Sequence, residues 1–160
     1  ESASDELLAL YKKGYSASVV VEAFGRAKRH GLRTVGTFII GLPEESERSL
    51  AETLDLAVAL DMDFMSLNMA VPRFGTPFRA AALSLGLARD EDLVMDQGGA
   101  QAFLPTSTLD RETMLRLKKR MVRRFYLRPG YLLRRLAAVR SPRELLGQVR
   151  EGLALLGRNA

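Results

Sequence analysis

Thr34-Val35-Gly36-Thr37-Phe38-Ile39-Ile40-Gly41-Leu42-Pro43 decides the fold. Seven β-branched and apolar residues in a row predict a strand buried on both faces, and Gly41-Leu42-Pro43 ends it. Upstream, Ala17 to His30 carries Val20, Phe24 and Ala27 at helical spacing, with Ser16 as its cap and Gly31 as a left-handed stop. Downstream, residues 45–60 place Leu50, Leu54, Ala57 and Val58 on one helical stripe, and Ser49 and Glu52 stand at capping-box spacing. Phe64-Met65-Ser66-Leu67-Asn68-Met69-Ala70-Val71 reads as a second strand, closed by Pro72. Helix, strand, helix, strand with short loops is the rhythm of βαβ units and a parallel sheet.

The remaining chain divides around this unit. A short helix over 5–13 precedes it, ended by Gly14, and another follows Gly75-Thr76-Pro77 to about residue 85. Residues 86–109 read as irregular, with Gly98-Gly99 and a short strand at 101–104. Three amphipathic helices are expected over 111–127, 130–140 and 142–156. The first presents Met114, Leu117, Met121, Val122 and Phe125 on one face. Charge divides the same way. Residues 1–110 hold 10 basic and 16 acidic side chains, whereas residues 111–160 hold 14 basic and 3 acidic ones. A swing of that size predicts two regions in different surroundings, an α/β part over 1–88 and a mainly helical basic extension over 89–160.

Composition excludes several classes. The chain has no cysteine, so it forms no disulfide, supplies no thiol nucleophile and holds no cluster by its own thiolates. A single histidine, His30, makes a self-contained zinc site a poor fit, and no residue is assigned to a metal. Met62, Met65 and Met69 read as core filling rather than a metal box. No apolar run approaches the roughly 20 residues that span a bilayer. The chain opens on Glu1, without Met or a secretory signal, and is expected to begin inside a longer protein.

Four short segments in fixed order say more than periodicity does. They are Glu1-Ser2-Ala3-Ser4, then Lys13-Gly14, then Phe38-Ile39-Ile40-Gly41-Leu42-Pro43-Glu44-Glu45, then Ala70-Val71-Pro72-Arg73-Phe74-Gly75-Thr76-Pro77. Together they resemble the second half of the radical S-adenosylmethionine barrel, over about residues 1–78. The resemblance implies the C-terminal half of a partial (β/α)6 TIM-like barrel. It also implies a [4Fe–4S] cluster and reductive cleavage of S-adenosylmethionine to a 5′-deoxyadenosyl radical. In that family the cluster's cysteines follow the first strand, which would lie upstream of Glu1.

Carried onto this chain, the resemblance puts Glu1, followed by Ser2, at the end of strand four toward the ribose. Lys13 would face the methionine carboxylate, where its charge matches. Thr37 would approach the ribose from strand five. Ile39, Gly41 and Leu42 would wall the adenine, and Ala70 and Val71 would reach its edge from the end of strand six. Two departures stand out. Glu44 occupies a position where the family has glycine, and Arg73-Phe74 replaces the usual residue and proline.

Plainer readings stand beside these. Taken alone, Gly41-Leu42-Pro43 is a strand-to-helix turn, Glu1 a chain-end carboxylate, and Lys13 a solvated lysine beside a helix dipole. The basic face of Arg116, Lys119, Arg120, Arg123 and Arg124 reads as a solvated surface, as a contact with anionic lipid headgroups, or as a nucleic-acid contact with few aromatics for stacking. Phe125-Tyr126-Leu127-Arg128-Pro129 resembles the tail of radical enzymes that carry a cobalamin-binding domain.

The function expected is therefore that of a radical enzyme that modifies an unreactive carbon of a small or lipid-like substrate, with an electron donor for its cluster and with cobalamin in the class suggested by the tail. It would be cytoplasmic, with a membrane-associated surface in one reading, and residues 1–160 alone would be inactive. A non-catalytic α/β domain binding a nucleotide or a partner, and a basic membrane- or RNA-binding module, remain as alternatives.

Overall fold

The computed structural model describes residues 1–91 and 104–158. Its elements run α1 (Asp5–Leu10), α2 (Ala17–Arg29), β1 (Val35–Ile40), α3 (Glu47–Ala59), β2 (Phe64–Met69), α4 (Pro77–Ser84), α5 (Arg111–Tyr126), α6 (Pro129–Ala137) and α7 (Pro142–Arg158). Among the described residues the two strands form one parallel sheet, in register from Val35 opposite Phe64 to Ile40 opposite Met69. The protein is thus a mixed α/β fold with a two-stranded parallel sheet and seven helices among the described residues. Most of the short strand expected at 101–104, and Gly98-Gly99, lie outside them; Leu104 is described and buried.

One expectation about the strands is corrected. β1 is buried on one face only: Phe38 and Ile40 are buried, Val35 and Thr37 are exposed, and Ile39 lies between. Phe38 and Ile40 join Leu50, Leu54 and Ala57 of α3 and Met114, Met121, Val122 and Phe125 of α5 in one apolar cluster. The opposite face, with Val35 and Thr37, opens onto a hollow. An unbroken apolar run therefore did not mean two covered faces, because a strand lining a hollow also tolerates apolar residues. In β2, Met65, Leu67 and Met69 are buried in the same cluster.

Gly36 shows how tight that core is. A Cβ built there would come within 2.1 Å of Met62 Sδ, so the strand passes the methionine only because position 36 has no side chain. Met62 itself is fully buried.

Helix ends also differ from the sequence reading. α3 starts at Glu47, and its capping box is Ser46 with Ser49 rather than Ser49 with Glu52. Ser46 Oγ accepts from the Ser49 N–H at 3.2 Å, and Ser49 Oγ accepts from the Ser46 N–H at 3.0 Å. A serine does the reciprocal work that the usual motif gives to Glu or Gln, so the pattern sought was three residues late. At α2, Ser16 makes no side-chain cap; Asp5 Oδ1 instead accepts from the Ala17 N–H at 2.7 Å. α1 ends at Leu10, short of Gly14, and α6 begins at Pro129, whose fixed φ suits a first helical position.

α5 locks the sheet from one side. The Tyr126 hydroxyl donates to the Met65 carbonyl at 2.8 Å and accepts from the Met65 N–H at 3.0 Å. One phenol thus satisfies both main-chain groups of a β2 residue on the side away from β1. On the far side of β1, the Ile39 N–H donates to the Glu1 carbonyl at 3.3 Å, so the residues around Glu1 continue the pairing direction. Asp61, in left-handed conformation at φ 47°, ties three elements together by accepting from Lys28, Arg128 and Arg134. Burial opposes ionisation of its carboxyl, but the bonds from Lys28, Arg134 and Arg128 outweigh that and hold it below the usual carboxylate range.

Tyr126→Phe keeps the ring in place and strips both partners from Met65. The expected cost is about 1–3 kcal/mol in urea unfolding, the penalty of unsatisfied half-buried main-chain groups. An unchanged midpoint would show that water takes over both bonds.

Candidate functional site

The carboxyl ends of β1 and β2 and the segment around Glu1 surround a cavity of about 290 Å³. Glu1, Tyr11, Lys13, Thr37 and Asn68 give it polar walls, and Ile39, Leu42, Met69, Ala70, Val71 and Phe78 give it apolar ones. Strand period explains much of this grouping. Thr37 and Ile39 project from one face of β1, and Ser66 and Asn68 are their register partners on β2. The loops after each strand then bring Leu42, Ala70 and Val71 to the rim. Ligands of parallel α/β sheets sit at this end because the loops that follow the strands diverge there.

Of the nine residues singled out in the sequence, Glu1, Lys13, Thr37, Ile39, Leu42, Ala70 and Val71 line this one cavity. Gly41 stands directly behind Leu42. Its φ of +90° is open to glycine at little cost, and a Cβ there would press on Met69 Cε at 3.2 Å. Ser2 is turned away: it is buried, and its hydroxyl lies 3.5 Å from Thr53 Oγ1 of α3. Ser2 instead borders an adjoining hollow of about 290 Å³ that shares Glu1 and Thr37 with the first.

Charge in the cavity is concentrated on one side. Lys13 Nζ and a Glu1 carboxylate oxygen form an ion pair there, each side chain about 30% exposed. An exchangeable pair of this kind leaves one cation and one anion available to a ligand that carries both signs or hydrogen-bonding hydroxyls. Across the rim, the Tyr11 hydroxyl donates to Glu44 Oε2 at 2.6 Å. Burial, reinforced by that bond and by the charge of Glu44, pushes the Tyr11 phenol well up, so it remains a donor.

Two residues that brace the rim were not assigned a role from the sequence. Glu45 is fully buried, and its Oε2 accepts from the Gly41 N–H at 2.5 Å and from the Leu42 N–H at 3.1 Å. Its other oxygen, Oε1, is buried with no hydrogen-bond partner among the described residues. Burial raises its pKa from about 4.5 to about 7, against the two N–H bonds and with help from the Glu44 charge. The loop over 43–45 is held from outside as well, by Ser107 N–H to the Pro43 carbonyl at 2.8 Å and Thr108 Oγ1 to the Glu45 carbonyl at 3.0 Å. Arg79 does similar work after β2. Buried in α4, it donates to the Pro72 carbonyl at 3.2 Å and the Asp90 carbonyl at 2.7 Å, with its guanidinium 4.0 Å from the Phe74 ring centroid. The signal that could have pointed to Glu45 is an acid just after the Gly-Leu-Pro turn, and for Asn68 a polar residue within an apolar run. Tyr11 and Arg79 gave no sequence signal.

No family model matches the chain. Individual proteins do. An uncharacterized methyltransferase of Pyrococcus horikoshii is 31% identical over 137 residues, which make up 84% of this chain and 29% of that protein. A tRNA-2-methylthio-N(6)-dimethylallyladenosine synthase of Alkalilimnicola ehrlichii is 38% identical over 86 residues, covering 52% of this chain and 19% of that one. One of the same description from Neisseria meningitidis serogroup A is 36% identical over 81 residues, covering 48% and 18%. These relatives are enzymes. The chain spans less than a third of the length of each.

Glu45→Gln tests the brace through its pH dependence. A carboxyl whose pKa is raised in the fold contributes stability fully below its unfolded pKa and loses it as pH climbs through the folded value. The parent chain is therefore expected to weaken between about pH 5 and pH 8, by about 3 kcal/mol at most. The glutamine variant, which keeps an acceptor for Gly41 and Leu42, should be flat over that window. A parent chain with no slope there, or a variant with the same slope, would show that Glu45 is not the group that titrates.

Proposed function

We propose that residues 1–88 form the C-terminal half of a radical S-adenosylmethionine barrel and that this cavity receives the adenosyl and methionyl parts of S-adenosylmethionine. The observation that carries the reading is the meeting of Glu1, Lys13, Thr37, Ile39, Leu42, Ala70 and Val71 at one end of two parallel strands. The relatives support it from another direction, since their names describe methyl and methylthio transfer.

The residues fit such a ligand. Ile39, Leu42 and Val71 give an apolar wall against which a flat base packs, at a place where Gly41 lets the main chain approach closely. Glu1 accepts from ribose hydroxyls, and Lys13, leaving Glu1, binds a carboxylate with a charge-assisted bond. Thr37 adds a hydroxyl beneath the ribose. Glu45, through the Leu42 and Gly41 amides, keeps the apolar wall at its height, and Arg79 fixes the loop that carries Ala70 and Val71. With no cysteine in the chain, cluster ligands would come from outside residues 1–160. When bound, a [4Fe–4S] cluster would supply the electron for reductive cleavage of the sulfonium carbon–sulfur bond, and so the means to attack an unreactive carbon.

The parent protein would then be the enzyme, residues 1–160 alone being inactive, and its partners would include an electron donor and a small or lipid-like substrate that receives a methyl or methylthio group. A cytoplasmic location fits, because cysteines that ligate a cluster stay reduced there. The Phe125-Tyr126-Leu127-Arg128-Pro129 stretch has packing roles of its own: Phe125 is in the core, Tyr126 holds Met65, and Arg128 reaches Asp61. Those contacts make no demand for cobalamin.

The test is anaerobic assay of the reduced full-length protein. It should form 5′-deoxyadenosine from S-adenosylmethionine, and Lys13→Ala should weaken S-adenosylmethionine binding by about tenfold or more in calorimetry, the loss of one charge-assisted bond. Absence of 5′-deoxyadenosine together with unchanged affinity in the variant would overturn the assignment.

A further inference from the structure

The far end of the molecule carries a surface the site does not use. α6 and α7 border an open groove of about 220 Å³ whose floor is Phe64, Tyr126 and Tyr131. Its walls are apolar and wet: Leu132 and Leu136 of α6 are 42% and 57% exposed, and Leu145 and Val149 of α7 are 38% and 49% exposed. Outside the walls, Leu133, Leu146 and Leu153 are each about two-thirds exposed. Leu146, Val149 and Leu153 recur at helical spacing, so α7 offers a continuous apolar stripe rather than scattered side chains.

The charges around this stripe have one dominant sign. Residues 129–158 contain six arginines, no lysine and two glutamates. Arg140, Arg143 and Arg150 are exposed, and Arg135 stands at the groove with its guanidinium 5.3 Å from the Phe64 ring centroid. Glu144 is engaged locally, accepting from the Arg140 main-chain N–H at 2.9 Å and lying 3.4 Å from Gln148 Nε2. Ion pairs occur on both basic surfaces, Arg116 with Glu112 and Arg124 with Asp55 on α5 and Arg134 with Asp61 on α6; what sets the α6–α7 face apart is the exposed apolar stripe beside its arginines.

We propose that the α6–α7 face docks on an anionic lipid membrane, with its leucines in the headgroup and acyl boundary and its arginines on the lipid phosphates and carboxylates. Two helices with apolar stripes and arginine-rich borders are the composition of an interfacial anchor, because arginine stems lie along the apolar layer while their heads reach the charged one. An apolar protein partner would explain the leucines alone; the flanking arginines select an anionic surface. None of the described helices is long and apolar enough to cross a membrane, so the contact is with one leaflet.

Flotation of the full-length protein with vesicles tests this. Phosphatidylcholine vesicles with about 30 mol% phosphatidylserine should bind at least about tenfold more protein than phosphatidylcholine alone, falling at high salt. Leu133→Ser with Leu146→Ser should abolish binding, and Arg140→Gln with Arg143→Gln and Arg150→Gln should lower it at least about tenfold, both with unchanged far-ultraviolet circular dichroism. Binding to neither vesicle, equal binding to both, or leucine substitutions that only turn a dimer into a monomer in sedimentation would overturn the proposal. So would a full-length protein in which amides of α6 and α7 are protected by another segment of the same chain.

Discussion

Parallel pairing of β1 with β2 is the constraint on which the rest depends. Two parallel neighbours require the chain to leave the end of one strand, travel back and start the next at the same level. α3 makes that return, and Gly36 leaves room for Met62 where the chain turns into β2. Because the strands run the same way, both of their following loops open at one end. Leu42 and Val71, 29 positions apart in sequence, are neighbours at one cavity for that reason alone.

The same constraint leaves two outer flanks, and the chain treats them differently. On the β2 side, Tyr126 takes up the Met65 amide and carbonyl, and α5 buries its apolar face over the sheet. On the β1 side, the Glu1 carbonyl receives the Ile39 amide.

Much of the fold was legible because helix and strand periods differ. Leu50, Leu54 and Ala57 of α3 and Met114, Met121, Val122 and Phe125 of α5 are buried as their spacing required, while Val58 and Leu117, expected on the same stripes, are partly buried against the same core. The face of β1 was misread because apolar content measures neither which side is covered nor by what. The α3 cap was missed because Ser49 plays the part usually given to Glu. Glu1, Lys13, Thr37, Ile39, Leu42, Ala70 and Val71 were singled out in the sequence, whereas Tyr11 and Phe78 reach the cavity from the end of α1 and from α4, by contacts that no local pattern records. Ser2 shows the reverse: adjacency to Glu1 in sequence sends it to the opposite side of the extended chain.

Hydrogen–deuterium exchange of the reduced full-length protein, with and without S-adenosylmethionine, reads the shared cavity directly. Peptides spanning 37–45 and 68–78 should gain protection together, with 1–13 following and α7 unchanged. Protection of one strand end without the other would mean that the two ends do not share a ligand.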